Sequence, residues 1–134
     1  MRYPIAIELG SDLAAFGVVI PDLPGCFSAG DTLDDALANA EEAAAAWIDA
    51  ALDAGLAIPA PSELDAVRQR PEFAGWAVGV VTVDPATFDD TTERVNITIP
   101  RRVLRRLDAL AEAEGESRSG LIAKLTLGRG RRVA

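Results

Sequence analysis

Short alternations of apolar and polar residues dominate the start of the chain. Residues 3–9 and 14–20 each form a partly alternating apolar run, and the turn residues 10–12 separate them. This pattern predicts an antiparallel hairpin. Two prolines and a glycine then interrupt the pattern, and a third short strand is predicted over residues 26–29. Residues 76–83 are apolar at nearly every position, which predicts a strand at the centre of the sheet.

Between the third and fourth of these strands, the apolar spacing changes to that of a long helix. Thr32 can cap this helix, with Asp35 three positions later in a capping-box arrangement. Gly55 suits the position just after its last turn. One face of the predicted helix carries Leu33, Leu37, Ala40, Ala44, Trp47, Ile48, Ala51 and Leu52.

A second alternation begins at residue 94. Residues 94–99 alternate strictly, with polar side chains at even positions and apolar ones at odd positions, which predicts a strand with two different faces. Pro100 suits the first turn of a helix, Gly115 suits its end, and Ser117 or Ser119 can cap a further helix. The apolar residues of these two helices are Val103, Leu104, Leu107, Leu110 and Ala111, then Leu121, Ile122 and Leu125.

The distribution of charge divides the chain at the same place. Residues 1–93 carry three basic and seventeen acidic side chains, a net charge of −14, whereas residues 94–134 carry ten basic and four acidic, a net charge of +6. Such an asymmetry indicates two modules with different partners. We predict an α/β domain over residues 1–84, a linker over 85–93, and a second domain from residue 94 whose last residues, 128–134, form a loose basic tail.

The composition excludes several classes of protein. One cysteine cannot form an intrachain disulfide, and the lack of histidine excludes Ser-His-Asp and Cys-His catalysis. The longest nearly apolar run, residues 43–48, is far shorter than the ~20 residues of a membrane helix, and the first residues do not resemble a signal peptide. We therefore expect a cytoplasmic protein without a cofactor.

The second predicted domain is too small to fold as a single copy. One strand and two helices in about 40 residues bury too little apolar surface, and a lone strand leaves its backbone groups unpaired. Both problems disappear if two copies pair their strands antiparallel and share one core, so we predict a homodimer or a higher oligomer. The predicted dimer core consists of Val95, Ile97, Ile99, Leu104, Leu107, Leu121, Ile122 and Leu125.

The polar face of such a two-stranded ribbon predicts DNA binding. A ribbon of this width enters the major groove, where arginine reads guanine and asparagine reads adenine through paired hydrogen bonds. The start of the last helix offers N–H groups and hydroxyls to a phosphate. The predicted DNA-binding residues are Arg94, Asn96 and Thr98 on the ribbon and Ser117, Arg118 and Ser119 at the helix start.

Two stretches of the chain resemble known families. Arg94-Val-Asn-Ile-Thr-Ile-Pro100, a leucine-rich helix, and then Gly-Glu-Ser-Arg-Ser-Gly-Leu-Ile resemble a ribbon-helix-helix DNA-binding domain. In the first half, Asp22-Leu-Pro-Gly-Cys26 followed by Gly30-Asp-Thr32 is similar to the HicB antitoxin family over residues 3–61, and the strand at 76–83 completes the small domain of that family.

The resemblance to HicB antitoxins implies a function. The small domain of that family resembles a partial RNase H fold without catalytic function, and it binds HicA, a small mRNA-cleaving toxin with a catalytic histidine. Many members append a DNA-binding domain and repress their own operon. An acidic domain suits the basic RNA-binding face of such a toxin, although the interface also needs an apolar centre. The toxin-contacting residues stay unassigned.

Two other functions remain open at this stage. The chain can be a stand-alone repressor whose first domain senses a small molecule, or a metal-dependent nuclease built on the first domain. Cys26 has no histidine to activate it, so we interpret it as a buried or turn-lining thiol, and we interpret Trp47 and Trp76 as core residues. The carboxylates considered as Mg²⁺ ligands are Glu8, Asp12, Asp22 and Asp31.

We therefore predict an α+β fold in which a small antiparallel sheet with one long helix, a partial RNase H-like domain, precedes a dimeric ribbon-helix-helix domain. The predicted function is that of an antitoxin of a type II toxin–antitoxin system. It would neutralise a HicA-type mRNA interferase and repress its own operon. The expected partners are that toxin, operator DNA and a second copy of the chain, and no catalytic residue, metal or membrane is expected.

Overall fold

A computed structural model describes residues 1–130 and divides the chain into two compact units. The first unit comprises residues 1–90 and the second begins at residue 91. None of the helices in the described range has both the length and the apolar composition that crossing a bilayer requires.

The first unit contains a four-stranded antiparallel sheet. Its strands are β1 (Arg2–Glu8), β2 (Phe16–Val19), β3 (Phe27–Gly30) and β4 (Ala77–Thr82), in the spatial order β3-β2-β1-β4. β1 and β2 form the predicted hairpin, and β3 follows on the outer side of β2. The predicted antiparallel sheet is confirmed, with strand ends that shift by one or two residues.

The predicted central position of β4 is wrong. β4 lies at the edge of the sheet and pairs only with β1, and its Val80 is 44% exposed. The interior strands are β1 and β2, and five consecutive residues of β1 are buried. Only Val81 of β4 is buried, so the apolar sequence of this strand indicated neither the number of its neighbours nor burial on both faces.

A proline is tolerated inside β1 because of how the strand pairs. The N–H and C=O of Met1 both bond to Val83, so the odd-numbered residues of β1 turn their backbone groups toward β4. The nitrogen of Pro4 therefore points toward β2. β2 pairs only with Ala6–Glu8 of β1 and does not extend as far as Pro4. Because no strand lies opposite the nitrogen of Pro4 on that side, the missing N–H does not break a hydrogen bond of the sheet.

One long helix, α1 (Leu33–Asp53), covers one face of the sheet. The predicted cap is confirmed, because Thr32 Oγ1 accepts a hydrogen bond from the backbone N–H of Asp35 at 3.1 Å. Gly55 follows the helix with φ of +70°, a conformation that favours glycine. The core between helix and sheet contains Tyr3, Ile5, Ile7, Val18, Ile20, Leu23, Cys26, Ala36, Ala40, Ala44, Ile48, Val81 and Val83.

A short helix, α2 (Leu64–Arg68), contacts β1 and β4. Pro4 and Ala6 are buried although alternation turns them away from α1. The buried Val67 of α2 lies outside the α1-side core, so we assign α2 to this second face. A 3₁₀ turn, Pro71–Phe73, leads on to β4.

The two tryptophans, predicted as core residues, are both half-buried, and of the two only Trp47 packs against the core between α1 and the sheet. The Trp47 ring packs against the core cluster, and its Nε1 donates to the carbonyl of Pro24 at 2.9 Å. Trp76 packs against Phe73 with ring centroids 5.2 Å apart. At the end of the unit, residues 85–88 of the predicted linker form a 3₁₀ turn, and Phe88 packs against the core.

The second unit contains two helices, α3 (Arg101–Glu114) and α4 (Arg118–Gly130). Gly115 ends α3 with φ of +68°, as predicted, and Ser117 caps α4 by accepting from the N–H of Gly120 at 2.9 Å. α4 continues through residues 128–130, so the predicted loose tail is wrong for these three residues. The rest of that tail, residues 131–134, lies outside the described residues.

Candidate functional site

Residues 94–99 of the second unit carry two sets of side chains. They form neither a helix nor a paired strand in the single chain. Val95 and Ile97 are 72% and 62% exposed, and the polar residues between them are exposed as well. Exposed apolar residues that alternate with polar ones indicate a segment whose apolar face is completed by another surface.

The same segment lines a groove of about 870 Å³ with α3 and α4. Leu121, another predicted core residue, is buried, and Leu125 is 53% exposed on α4. The groove therefore gathers most of the predicted dimer core into one open apolar surface. The predicted core residues that line it are Val95, Ile97, Ile99, Leu104, Leu107 and Ile122.

Very little of the second unit is buried. Over residues 91–129, the buried apolar side chains are Ala111 and Leu121 alone. Val103, Leu110 and Leu127 are between 43% and 49% exposed and add further apolar surface. Removing apolar surface from water stabilises a protein by roughly 25 cal/mol per Å². A partner that covered these side chains would therefore stabilise the second unit.

The predicted DNA-binding residues divide between the groove and its surroundings. Arg94, Thr98, Arg118 and Ser119 line the groove. Asn96 is exposed outside the groove lining, and the hydroxyl of Ser117 is occupied by its capping bond. Because Arg94 and Thr98 share the groove with the apolar residues, the single chain does not separate a polar face from an apolar one.

Arg118 is held by Asp108 of α3, a contact that the sequence did not predict. Its Nε donates to Oδ1 at 2.6 Å and its Nη2 donates to Oδ2 at 2.9 Å, which is a bidentate geometry. These hydrogen bonds hold the pKa of Asp108 below its usual value and raise the pKa of Arg118. A phosphate contact by Arg118 would therefore have to compete with an ion pair.

We expect this pair to make the packing of α4 on α3 sensitive to acid. The pKa of Asp108 is lower in the folded chain, so its stabilising effect is present above the unfolded value and is lost as the pH falls through the folded value. At pH 7, we expect the amides of α4 to be less protected from exchange in Asp108→Asn than in wild type. On acidification, wild type should lose protection in α4, whereas Asp108→Asn should change less. Hydrogen exchange measures both effects. Glu112→Gln, an exposed carboxylate of the same helix, is the control, and equal behaviour of the two variants would contradict this role.

The residues considered for metal or thiol chemistry have structural surroundings. The carboxylate of Asp22 accepts hydrogen bonds from the N–H and hydroxyl of Ser62, which ties two loops together. The described residues contain no group of three or more side chains placed to hold a metal ion. Cys26 is buried as predicted, and burial raises the pKa of its thiol.

Comparison with known proteins identifies the family. A family model described as the HicB-like antitoxin of bacterial toxin–antitoxin systems matches residues 3–126. A 14.9 kDa protein of Haemophilus phage HP1, encoded in the rep-hol intergenic region and described as uncharacterized, is 37% identical over 131 residues. The match covers 96% of this chain and 97% of the phage protein.

Solved structures agree with this assignment. The antitoxin HicB of Burkholderia pseudomallei is 36% identical, with a TM-score of 0.61, and the match covers 95% of this chain and 96% of that one. A chain of a complex described as the HicA3 and HicB3 toxin–antitoxin complex is also 36% identical, with a TM-score of 0.55. This match covers 63% of our chain and all of the other. The family is not enzymatic. The chain belongs to the HicB-like antitoxin family of bacterial toxin–antitoxin systems.

Proposed function

We propose that this antitoxin neutralises a HicA-type mRNA interferase through its first unit and represses its own operon through residues 94–134. The observation that carries the second half of this proposal is the exposed, alternating segment 94–99 beside the apolar groove of α3 and α4. The two activities would both take place in the cytoplasm, where mRNA and the operon are found.

Dimerisation through residues 94–99 would complete the second unit. Two antiparallel copies of the segment satisfy each other's backbone groups, which a single copy leaves to water. The paired strands would place Val95, Ile97 and Ile99 over the grooves of both copies, and the apolar residues of α3 and α4 would close around them. The resulting unit is the ribbon-helix-helix domain that the sequence resembles.

Pairing would also create the DNA-binding face. In a paired ribbon, Arg94, Asn96 and Thr98 of both copies point away from the shared core, because side chains alternate along a strand. Ribbons of this kind insert into the major groove, and the polar side chains then reach the edges of the bases. The four arginines of α3 add positive charge near the phosphates.

The start of α4 is the proposed phosphate contact. Ser117 fixes the first turn of α4 by accepting from the N–H groups of Gly120 and Leu121. The N–H groups of Arg118 and Ser119 and the Ser119 hydroxyl would then meet the anion. Arg118 also holds α4 against α3 through its ion pair with Asp108. Its remaining N–H groups can still reach a phosphate, since a guanidinium has five donors.

Toxin binding is assigned to the first unit on electrostatic grounds. Residues 1–93 have a net charge of −14. An mRNA-cleaving toxin must present a basic surface to its substrate, and an acidic domain is attracted to that surface and blocks it. A chain that is 36% identical to this one comes from a structure described as the HicA3 and HicB3 toxin–antitoxin complex, which supports the same class of partner here.

Asn96→Ala tests the reading of bases. We expect the variant to lose about 1–3 kcal/mol of binding free energy at one base pair of the operator in each half-site, because alanine cannot pair with adenine. A titration of wild type and variant against operators that carry single base changes locates this position. Both proteins should bind an unrelated duplex equally. Equal discrimination by the two proteins would contradict the assignment of Asn96.

The whole proposal is tested by expressing the chain together with the small protein encoded beside it. We expect the two proteins to purify as a complex, growth inhibition by the neighbour to be relieved, and the antitoxin to shift the DNA of its own promoter. If the neighbour is not toxic or the two proteins do not associate, the antitoxin assignment fails. If the promoter is not bound, the assignment of a repressor fails.

A further inference from the structure

A groove of about 660 Å³ lies in the first unit, between the β1–β2 turn and the start of α1. Its apolar lining includes Leu13, Phe16 and Leu33, and its carboxylates are those of Asp12 and Asp31. Leu13 is 98% exposed, Leu33 is 37% exposed, and Phe16 is half-buried. The groove thus combines an open apolar surface with negative charge.

Leu13 is exposed but held in place. Ser11 and Ala14 exchange two backbone hydrogen bonds of 2.9 and 3.3 Å, and the Ser11 hydroxyl accepts from the N–H of Leu13 at 3.1 Å. The chain approaches Gly10 so closely that a Cβ there would lie 2.5 Å from the carbonyl oxygen of Ala14. Because the backbone at Leu13 is already fixed, covering this leucine costs only the conformational entropy of its side chain, which favours its use as an interface anchor.

The charge around this groove determines which protein can cover it. Two further exposed carboxylates, Asp34 and Asp35, occupy the first turn of α1 beside the groove. The basic side chains of the first unit lie elsewhere. Arg68 and Arg70 pair with Asp65 and Glu72, and Arg2 lies at the opposite end of β1 from the groove. A second copy of this acidic surface would be repelled, whereas a basic partner would be attracted.

We propose that this groove is the docking surface for the toxin, with Leu13 and Leu33 as its apolar centre and Asp12 and Asp31 as its charged border. The inference rests on the proposed function, which supplies a partner with a basic surface. Leu13 inserts among apolar side chains of the toxin, and the two aspartates pair with arginine or lysine side chains that would otherwise contact RNA phosphates.

The exposed Phe27 is the alternative anchor in the same unit. It is 71% exposed on the edge strand β3. Asn39 already donates to the carbonyl of Ala29 on that strand at 2.8 Å, which occupies one acceptor that a pairing strand would use. We therefore assign the anchor to Leu13.

The test measures the affinity and association rate of the full-length antitoxin for the neighbouring toxin with its catalytic histidine replaced. We expect Leu13→Ser to weaken binding about tenfold or more. Leu56→Ser, an equally truncated leucine that is 60% exposed beyond the far end of α1, should bind within about twofold of wild type. We expect Asp12→Asn with Asp31→Asn to slow association and to reduce its dependence on salt.

Several outcomes separate this inference from the proposed function. If wild type does not bind the toxin, both fail. If wild type binds and Leu13→Ser binds equally well, our assignment of the docking surface is overturned. Loss of binding in Phe27→Ser would then place that surface on the open face of β3. Unchanged tryptophan fluorescence in Leu13→Ser shows that the first unit has stayed folded, because both tryptophans belong to it.

Discussion

A protein that carries Ile97→Asp is expected to be a monomer that no longer binds its operator. Ile97 is 62% exposed in the single chain, so aspartate is tolerated there before assembly. In the proposed dimer it is buried in both copies. Covering an isoleucine contributes about 1.5–3 kcal/mol per copy, and burying two carboxylates instead adds a further cost. The combined loss corresponds to at least about a thousandfold in the dimerisation constant.

Sedimentation and operator binding measure this effect, and the neighbouring residue supplies the control. Asn96→Ala changes the opposite side of the same segment, so it should remain dimeric while it loses base discrimination. The circular dichroism of the Ile97→Asp monomer should show a loss of helix in the second unit, because a single copy buries little more than Ala111 and Leu121 there. A dimeric Ile97→Asp protein that still binds its operator would show that residues 94–99 do not form the interface.

Local signals explain which parts of the fold were predictable. The cap at Thr32 and the corner at Gly115 depend on one or two residues and their immediate neighbours, and both occur as predicted. The hairpin of β1 and β2 is also a local structure, because only residues 9–15 separate the two strands. A short-range pattern in the sequence is sufficient in each of these cases.

Arrangements between distant residues were less predictable. β4 is apolar enough to be a central strand, but the chain adds it beside β1 as the last strand of the sheet, with α1 and α2 on the two faces. The ion pair of Arg118 and Asp108 forms only at a particular angle between α3 and α4. The spacing of apolar residues in the sequence does not specify that angle. The groove at Leu13 joins two loops that lie about twenty residues apart, and each loop alone resembles an ordinary turn.

The opposite charges of the two halves connect the site to the proposed function. The acidic first unit attracts a basic toxin and repels DNA, whereas the basic second unit attracts DNA and repels the toxin. Each partner is therefore directed to its own unit, and both can be bound at the same time. A single module that bound both partners would have to present one surface to ligands of opposite charge. Two modules with separate cores avoid that conflict, and they predict that damage to one core leaves the other activity intact.

Ile48→Ala tests this separation directly. Ile48 is completely buried between α1 and the sheet, so its truncation should lower the free energy of unfolding of the first unit by about 2–5 kcal/mol. For a unit of this size, the thermal midpoint should fall by about 10 °C or more. Trp47 and Trp76 both belong to the first unit, so tryptophan fluorescence follows its unfolding alone.

Operator binding should be almost unchanged in Ile48→Ala at temperatures that unfold the first unit, because the ribbon and its helices use none of that core. Toxin binding should be lost over the same temperature range. Asp49→Ala, an exposed neighbour on the same helix, should change stability by no more than about 0.5 kcal/mol and serves as the control. If operator affinity instead falls together with the tryptophan signal, the two units depend on each other for folding, and an antitoxin with two separable activities is the wrong description of this chain.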